Sequence, residues 1–274
     1  MVGLEPTAGG RTVKLCMVVV QFYANDKALA RYVSTFCGLL GREGIELEEV
    51  RVDIRDTAGD EPNPFPFMDI SGYIHGLAKV PAGVPVLVLN DTYFVKHPWR
   101  SYTKSLATVL KPLASLEVPC AAGAVFPTQS LLLLDESNPT RRHVCTFLVA
   151  FNAQGREVMD ALARGLPGRS HEEVKSWLDE VMSRHRALHL MCRLHFADIP
   201  NPWGWPGLAS RPGAVTIQRK TVTVAFEYLL SYELLRAGGM VLPINAGTRQ
   251  WFAEQVERLV LRLRSLNILR SIHL

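Results

Sequence analysis

The 274-residue chain has a formal charge of +4 and is 48% hydrophobic, the make-up of a globular protein long enough to bury a core as one large or two small domains. No stretch approaches the ~18 to 20 uninterrupted apolar residues of a membrane-crossing helix. Residues 1–12 lack the basic-then-apolar order of a signal peptide, so a flexible start and a cytoplasmic location are expected. Cys16, Cys37, Cys120, Cys145 and Cys192 are scattered without a Cys-x-x-Cys pair, which excludes a disulfide framework and points to reduced thiols. So mild a positive charge does not call for a nucleic-acid partner.

Val13 to Phe22 is rich in valine and predicts a buried first strand. Asn25 or Asp26 then caps a helix whose apolar residues recur at helical spacing from Ala28 to Leu40 and stop at Gly41. Ile45 to Ile54 alternates apolar and charged residues and predicts a second strand with one wetter face. Strand, helix, strand is the opening of a parallel α/β sheet. Arg55 to Phe67 is a loop, punctuated by Pro62, Pro64 and Pro66. Asp69 or Ser71 precedes a short helix, Gly72 to Leu77.

Val86 to Leu89 is a continuous apolar run ending abruptly in Asn90, Asp91 and Thr92. A strand covered on both faces has that look. Ligands of open α/β sheets sit beyond the carboxyl ends of strands, which would place these polar residues at the mouth of a site; a plain turn is the alternative.

Phe67-Met68-Asp69-Ile70-Ser71-Gly72-Tyr73-Ile74-His75-Gly76-Leu77, followed by Leu87-Val88-Leu89-Asn90-Asp91-Thr92, resembles the "(N/F)-x-S-G-(F/Y/W)-x-x-G-L … LLLNDS" pattern of polysaccharide-assembly glycosyltransferases with the GT-A fold, particularly the rhamnan-synthesis-F-like group. The resemblance implies a GT-A-like (Rossmann-like), mostly parallel central sheet flanked by helices, with a helical acceptor-side extension. It implies a domain over residues 13–248, with a nucleotide-binding half at 13–123 and an acceptor-binding half at 124–248. Gln21, Phe22 and Tyr23 would sit by the base and Asp53 or Asp56 by the ribose. Ser71 and Gly72 would face the diphosphate, and Asn90, Asp91 and Thr92 would hold the donor sugar or a Mg²⁺ or Mn²⁺ ion. True Asp-x-Asp is lacking, so metal dependence stays open, with Lys96, Arg100 or Lys220 as substitutes for the ion. Trp99 is either a sugar-stacking face or a core residue.

Val118 to Gly123, Leu131 to Leu134 and Val144 to Phe151 are further strand candidates. His143 to Asn152 resembles the family's "H-(I/V)-Q-S-(Y/F)-F-x-x-F" strand on the acceptor side, with Cys145 and Thr146 in place of Gln-Ser. Glu157 to Arg164 and Glu172 to Leu194 are helical by period. His185 and His189 stand four apart, a spacing that metals use, but among arginines that oppose it. The loop carrying Trp203 and Trp205 is either an acceptor platform or a cover over the core.

Val222 to Leu242 predicts a helix closed by Gly238 and Gly239. Its Glu227-x-x-Leu230-Ser231-x-x-Leu234-x-x-Ala237-Gly238 arrangement resembles the family's "E-x-x-L-S-x-x-L-x-x-A-G-(Y/W)" signature, with Gly239 at the aromatic position. The resemblance makes Glu227 the base that deprotonates the acceptor in an inverting transfer; a helix-start carboxylate is the alternative. Glu233 and Arg236 have the spacing of an exposed ion pair. Residues 249–274 form a basic amphipathic segment, which fits a peripheral contact with an anionic bilayer, packing on its own domain, or a homodimer. The expected activity is therefore glycosyl transfer from a nucleotide sugar to a glycan or lipid-linked glycan, in the cytoplasm or at the inner face of the membrane. The rivals are a non-catalytic sugar-nucleotide-binding or scaffolding subunit, and an unrelated nucleotide-binding enzyme, against which stands the absence of a Walker or dinucleotide glycine loop.

Overall fold

A computed structural model describes residues 12–22, 24–55, 69–127, 142–166, 171–185 and 214–245. The strands are β1 (Val13–Gln21), β2 (Ile45–Asp53), β3 (Val86–Asn90), β4 (Cys120–Pro127), β5 (Arg142–Phe151) and β6 (Met240–Pro243). The helices are α1 (Asp26–Gly41), α2 (Asp69–Leu77), α3 (Thr92–Lys96), α4 (Trp99–Ser115), α5 (Ala153–Arg164), α6 (His171–Arg184) and α7 (Ala214–Arg236). One six-stranded sheet runs in the order β2-β1-β3-β5-β4-β6. Every strand points the same way except β5, which pairs antiparallel with both β3 and β4.

Alternation along β1 shows why both faces are covered. Cys16, Val18 and Val20 pack with α2, α5, α6 and α7 on one side. Leu15, Met17 and Val19 pack with α1, α3 and α4 on the other. Two-sided burial of this kind is what turns a strand into a continuous apolar run. The first strand, the helix after it and the second strand stand where the sequence predicts them. Asn25 supplies the cap of α1, its side chain accepting from the Ala28 amide at 2.9 Å.

The helix predicted to close at Gly238 and Gly239 runs from Ala214 to Arg236; Gly238, at φ 74°, turns the chain, and Met240–Pro243 beyond it becomes the edge strand β6 beside β4. Helix α4 begins at Trp99. Trp99 is buried among Tyr32 and Phe94, so the core reading of this residue prevails over the sugar-stacking one. One sheet runs through residues on both sides of position 123.

Helix α2 lies against β1 at a distance only glycine allows. A Cβ on Gly76 would meet Val18 Cγ1 at 2.2 Å, and one on Gly72 would meet Val20 Cγ1 at 2.7 Å. Gly72 therefore seats the helix on the sheet. Arg156 of α5 fixes the far end of α2, donating to the carbonyls of Leu77 at 3.0 Å, Val80 at 2.9 Å and Pro81. A Gly76→Ala substitution gains helix propensity but overpacks the interface. It is expected to lower unfolding free energy by about 1–3 kcal/mol, read by urea denaturation; an unchanged or raised midpoint would contradict the close approach.

Candidate active site at the carboxyl edge of the sheet

β1 has β2 on one side and β3 on the other, so the order of strands reverses between β1 and β3. In open α/β sheets the crevice outside such a reversal is the favoured ligand position. Here it is bridged by one carboxylate. Asp91, the residue after β3, is buried, and its Oδ2 accepts from the backbone amides of Phe22 at 2.9 Å and Ala24 at 2.6 Å. The bond ties the loop after β1 to the end of β3. Gln21, expected beside the base, is also buried, and its amide nitrogen donates to the Ala24 carbonyl at 2.9 Å and Asp26 Oδ1 at 2.7 Å. It builds the loop from within.

The second carboxylate arrives from α7. β5 continues past the end of β3, because β3 stops at Asn90 and its last pair is Leu89 with Leu148. Beyond that pair β5 stays bound to β4, but its amides on the β3 side have lost their ladder partners, and α7 supplies replacements. Glu227 Oε1 accepts from the Thr146 amide and the Thr146 hydroxyl, both at 2.8 Å. Ser231 Oγ accepts from the Val144 amide at 3.0 Å. Glu227 stands within α7 and not at its start, so the helix-start alternative for this residue falls away.

The Tyr73 hydroxyl donates to the Thr146 carbonyl at 2.5 Å, so Tyr73 and Glu227 bind the same residue of β5. Burial pushes this phenol far above its ordinary range, and the negative charges of Asp69, Glu227 and Asp91 push it further. Asn90 extends the cluster by donating to Asp69 Oδ2 at 2.8 Å. The charges of three carboxylates thus act on one phenol. Next to them lies a mixed group: single ligand atoms of His143, Cys145 and Glu227 all fall within 4.8 Å of one another. Burial pushes the His143 imidazole below its ordinary range, with Glu227 opposing the shift.

The remaining expected residues are more dispersed. Asp53 is partly exposed and paired with Arg55, whose Nε donates to Oδ1 at 2.9 Å and Oδ2 at 3.0 Å while Nη2 reaches Asp26 at 2.9 Å. Ser71 and Thr92 are half-buried at the starts of α2 and α3. Lys96 and Arg100 are exposed, and the Arg100 guanidinium lies 5.4 Å from the centre of the Trp99 ring. Tyr23, Asp56, His189, Trp203, Trp205, the Lys220 side chain, the strand at 131–134 and the segment 249–274 lie outside the described residues. His185 packs edge-on against Tyr232. The expected Glu233–Arg236 pair forms at 2.7 Å.

Sequence reasoning assigned no role to Tyr73 or Thr146, although both stand inside quoted motifs. Only the folded arrangement, with Thr146 and Glu227 81 residues apart in sequence, shows what they do. No protein-family model, curated protein or solved structure matches the chain.

Two outcomes follow. Glu227→Ala strips two donors of Thr146 of their acceptor and is expected to cost about 1–3 kcal/mol of stability, measured by chemical denaturation; Glu227→Gln, which keeps an acceptor, is expected to lose less. At the other end of the crevice, the Gln21 amide and then the Arg55 charge hold Asp26 below its usual carboxylate range, and Arg55 holds Asp53 low. Depressed carboxylates stabilise the fold above their unfolded-state values and lose that stabilisation as pH falls through the folded ones. Arg55→Met is therefore expected to lower the urea midpoint near neutral pH, with the difference from wild type shrinking as pH falls below the ordinary carboxylate value of about 4. A drop of the same size at every pH would contradict the pairing.

Proposed function

We propose that this protein is a glycosyltransferase of GT-A-like architecture that moves a sugar from a nucleotide-sugar donor to a glycan acceptor such as a surface or capsular polysaccharide. The observation that carries the reading is that Thr146 fixes Glu227 of α7 against β5 beyond the end of β3, while Asp91 anchors the loop at the strand-order reversal.

In this reading the nucleotide lies against the loop that Asp91 anchors, with the backbone of Phe22 near the base. An acceptor hydroxyl attacks the anomeric carbon and gives its proton to Glu227. The new glycosidic C–O bond forms as the bond to the diphosphate oxygen breaks, and that oxygen leaves with the electron pair. A base contact of this kind needs heavy atoms within about 2.6–3.2 Å. Glu227 suits the role because Thr146 fixes one oxygen and thereby aims the other. Lys96 and Arg100, exposed just beyond Asp91, supply positive charge for the leaving group. A Mg²⁺ or Mn²⁺ ion on Asp91 does not fit. Its Oδ2 is taken by two main-chain amides and the side chain is fully buried, so no step is routed through such an ion.

A non-catalytic sugar-nucleotide-binding or scaffolding subunit is the second reading, favoured because both carboxylates also hold the main chain in place. Glu227→Gln separates the two. Thermal shifts with UDP, GDP, CMP and dTDP identify the nucleotide, since a ligand of the native state raises the melting temperature. Glu227→Gln is expected to keep that shift while sugar transfer or donor hydrolysis falls by about 100- to 10,000-fold. Full activity in the variant, or no response of the wild type to any nucleotide, would overturn the proposal.

A further inference from the structure

We propose that His143, Cys145 and Glu227 form a binding site for one transition-metal ion of the zinc class. The two strand residues stand two apart on β5, the spacing that returns side chains to a common side, and the carboxylate comes from α7. Their ligand atoms lie within 4.8 Å of one another. Tetrahedral zinc with bonds of ~2.0–2.3 Å needs ligand separations of about 3.3–3.8 Å, so the triad closes by roughly an ångström on binding.

Three further features favour an ion. His143 Nδ1 is a buried nitrogen with no hydrogen-bond partner among the described residues, and lone pairs so placed are otherwise rare. Glu227 Oε1 is fixed by both Thr146 donors, a supporting shell of the kind that orients a ligating carboxylate and leaves its second oxygen for the metal. Finally, imidazole, thiolate and carboxylate together select zinc or cobalt, whereas magnesium and manganese prefer oxygen sets. Three protein ligands leave a fourth position for water or a substrate oxygen.

The site needs neither donor nor acceptor, so its test is independent of the transfer proposal, and its failure leaves Glu227 able to act as a metal-free base. Full-length protein titrated with Co²⁺ is expected to bind one equivalent, with a near-ultraviolet thiolate-to-cobalt band that added Zn²⁺ abolishes. Cys145→Ser is expected to remove the band. His143→Gln and Glu227→Gln are expected to weaken binding by more than the ~10- to 100-fold typical of losing a mere supporting residue. A variant that fails to fold is bypassed by zinc-edge X-ray absorption of the wild type, where one sulfur at about 2.3 Å beside nitrogen and oxygen at about 2.0–2.2 Å is expected. No bound equivalent, a band that survives Cys145→Ser, or a shell without sulfur would overturn the site.

Discussion

The whole candidate site depends on how the open edge of β5 is closed. A strand that outruns its neighbour presents bare amides, and a buried amide without a partner costs about 1–3 kcal/mol. Helix α7 meets that requirement by imitating a strand. Residues four apart on a helix are about 6.0 Å apart along its axis, and residues two apart on a strand about 6.6–6.8 Å. Glu227 and Ser231 therefore match the Thr146 and Val144 amides almost in register. Once that match is made, the position of Glu227 is no longer adjustable, and whatever chemistry it performs is performed from a fixed place.

Asp91 exerts the complementary constraint. A carboxylate is the natural acceptor for two converging amides, and here it holds the Phe22–Ala24 loop against the end of β3. Tyr73 binds the same residue of β5 as Glu227 does. Its hydroxyl stays neutral in this setting, because burial and surrounding negative charge both oppose ionisation, and so it remains a donor to Thr146. Sugar transfer and metal binding are alternative uses of one rigid edge, since both call on Glu227. What differs is whether its second oxygen meets a proton or an ion.

Much of this was legible in the sequence where local chemistry decides the outcome. The valine run of β1, the Asn25 cap and the polar end of β3 follow from patterns spanning a few residues. Glu227 and Asp91 were singled out by motif, and each accepts from main-chain amides of a distant segment. Other features depend on distant partners. Nothing in Val144 to Phe151 distinguishes a parallel strand from an antiparallel one, because an apolar run reads the same in both directions. Met240 to Leu242 continued the apolar period of α7, and only the turn at Gly238 and the vacant edge of β4 make it a strand. Trp99 went into the core because α1 and α3 supply aromatic neighbours, Tyr32 and Phe94. Cys145 and Thr146 looked like departures from a family pattern, yet they are the residues that meet Glu227. Their partner lies too far along the chain for spacing to have revealed it.

The claim most exposed to test is that a carboxylate on α7 replaces a missing strand at the site. Residue-resolved hydrogen exchange on wild type and Glu227→Ala examines it directly. The account predicts that the Thr146 amide is strongly protected in the wild type and exchanges much faster in the variant, while the Val144 amide, held by Ser231, stays slow. A Thr146 amide that exchanges rapidly in the wild type, or equally slowly in both proteins, would contradict it.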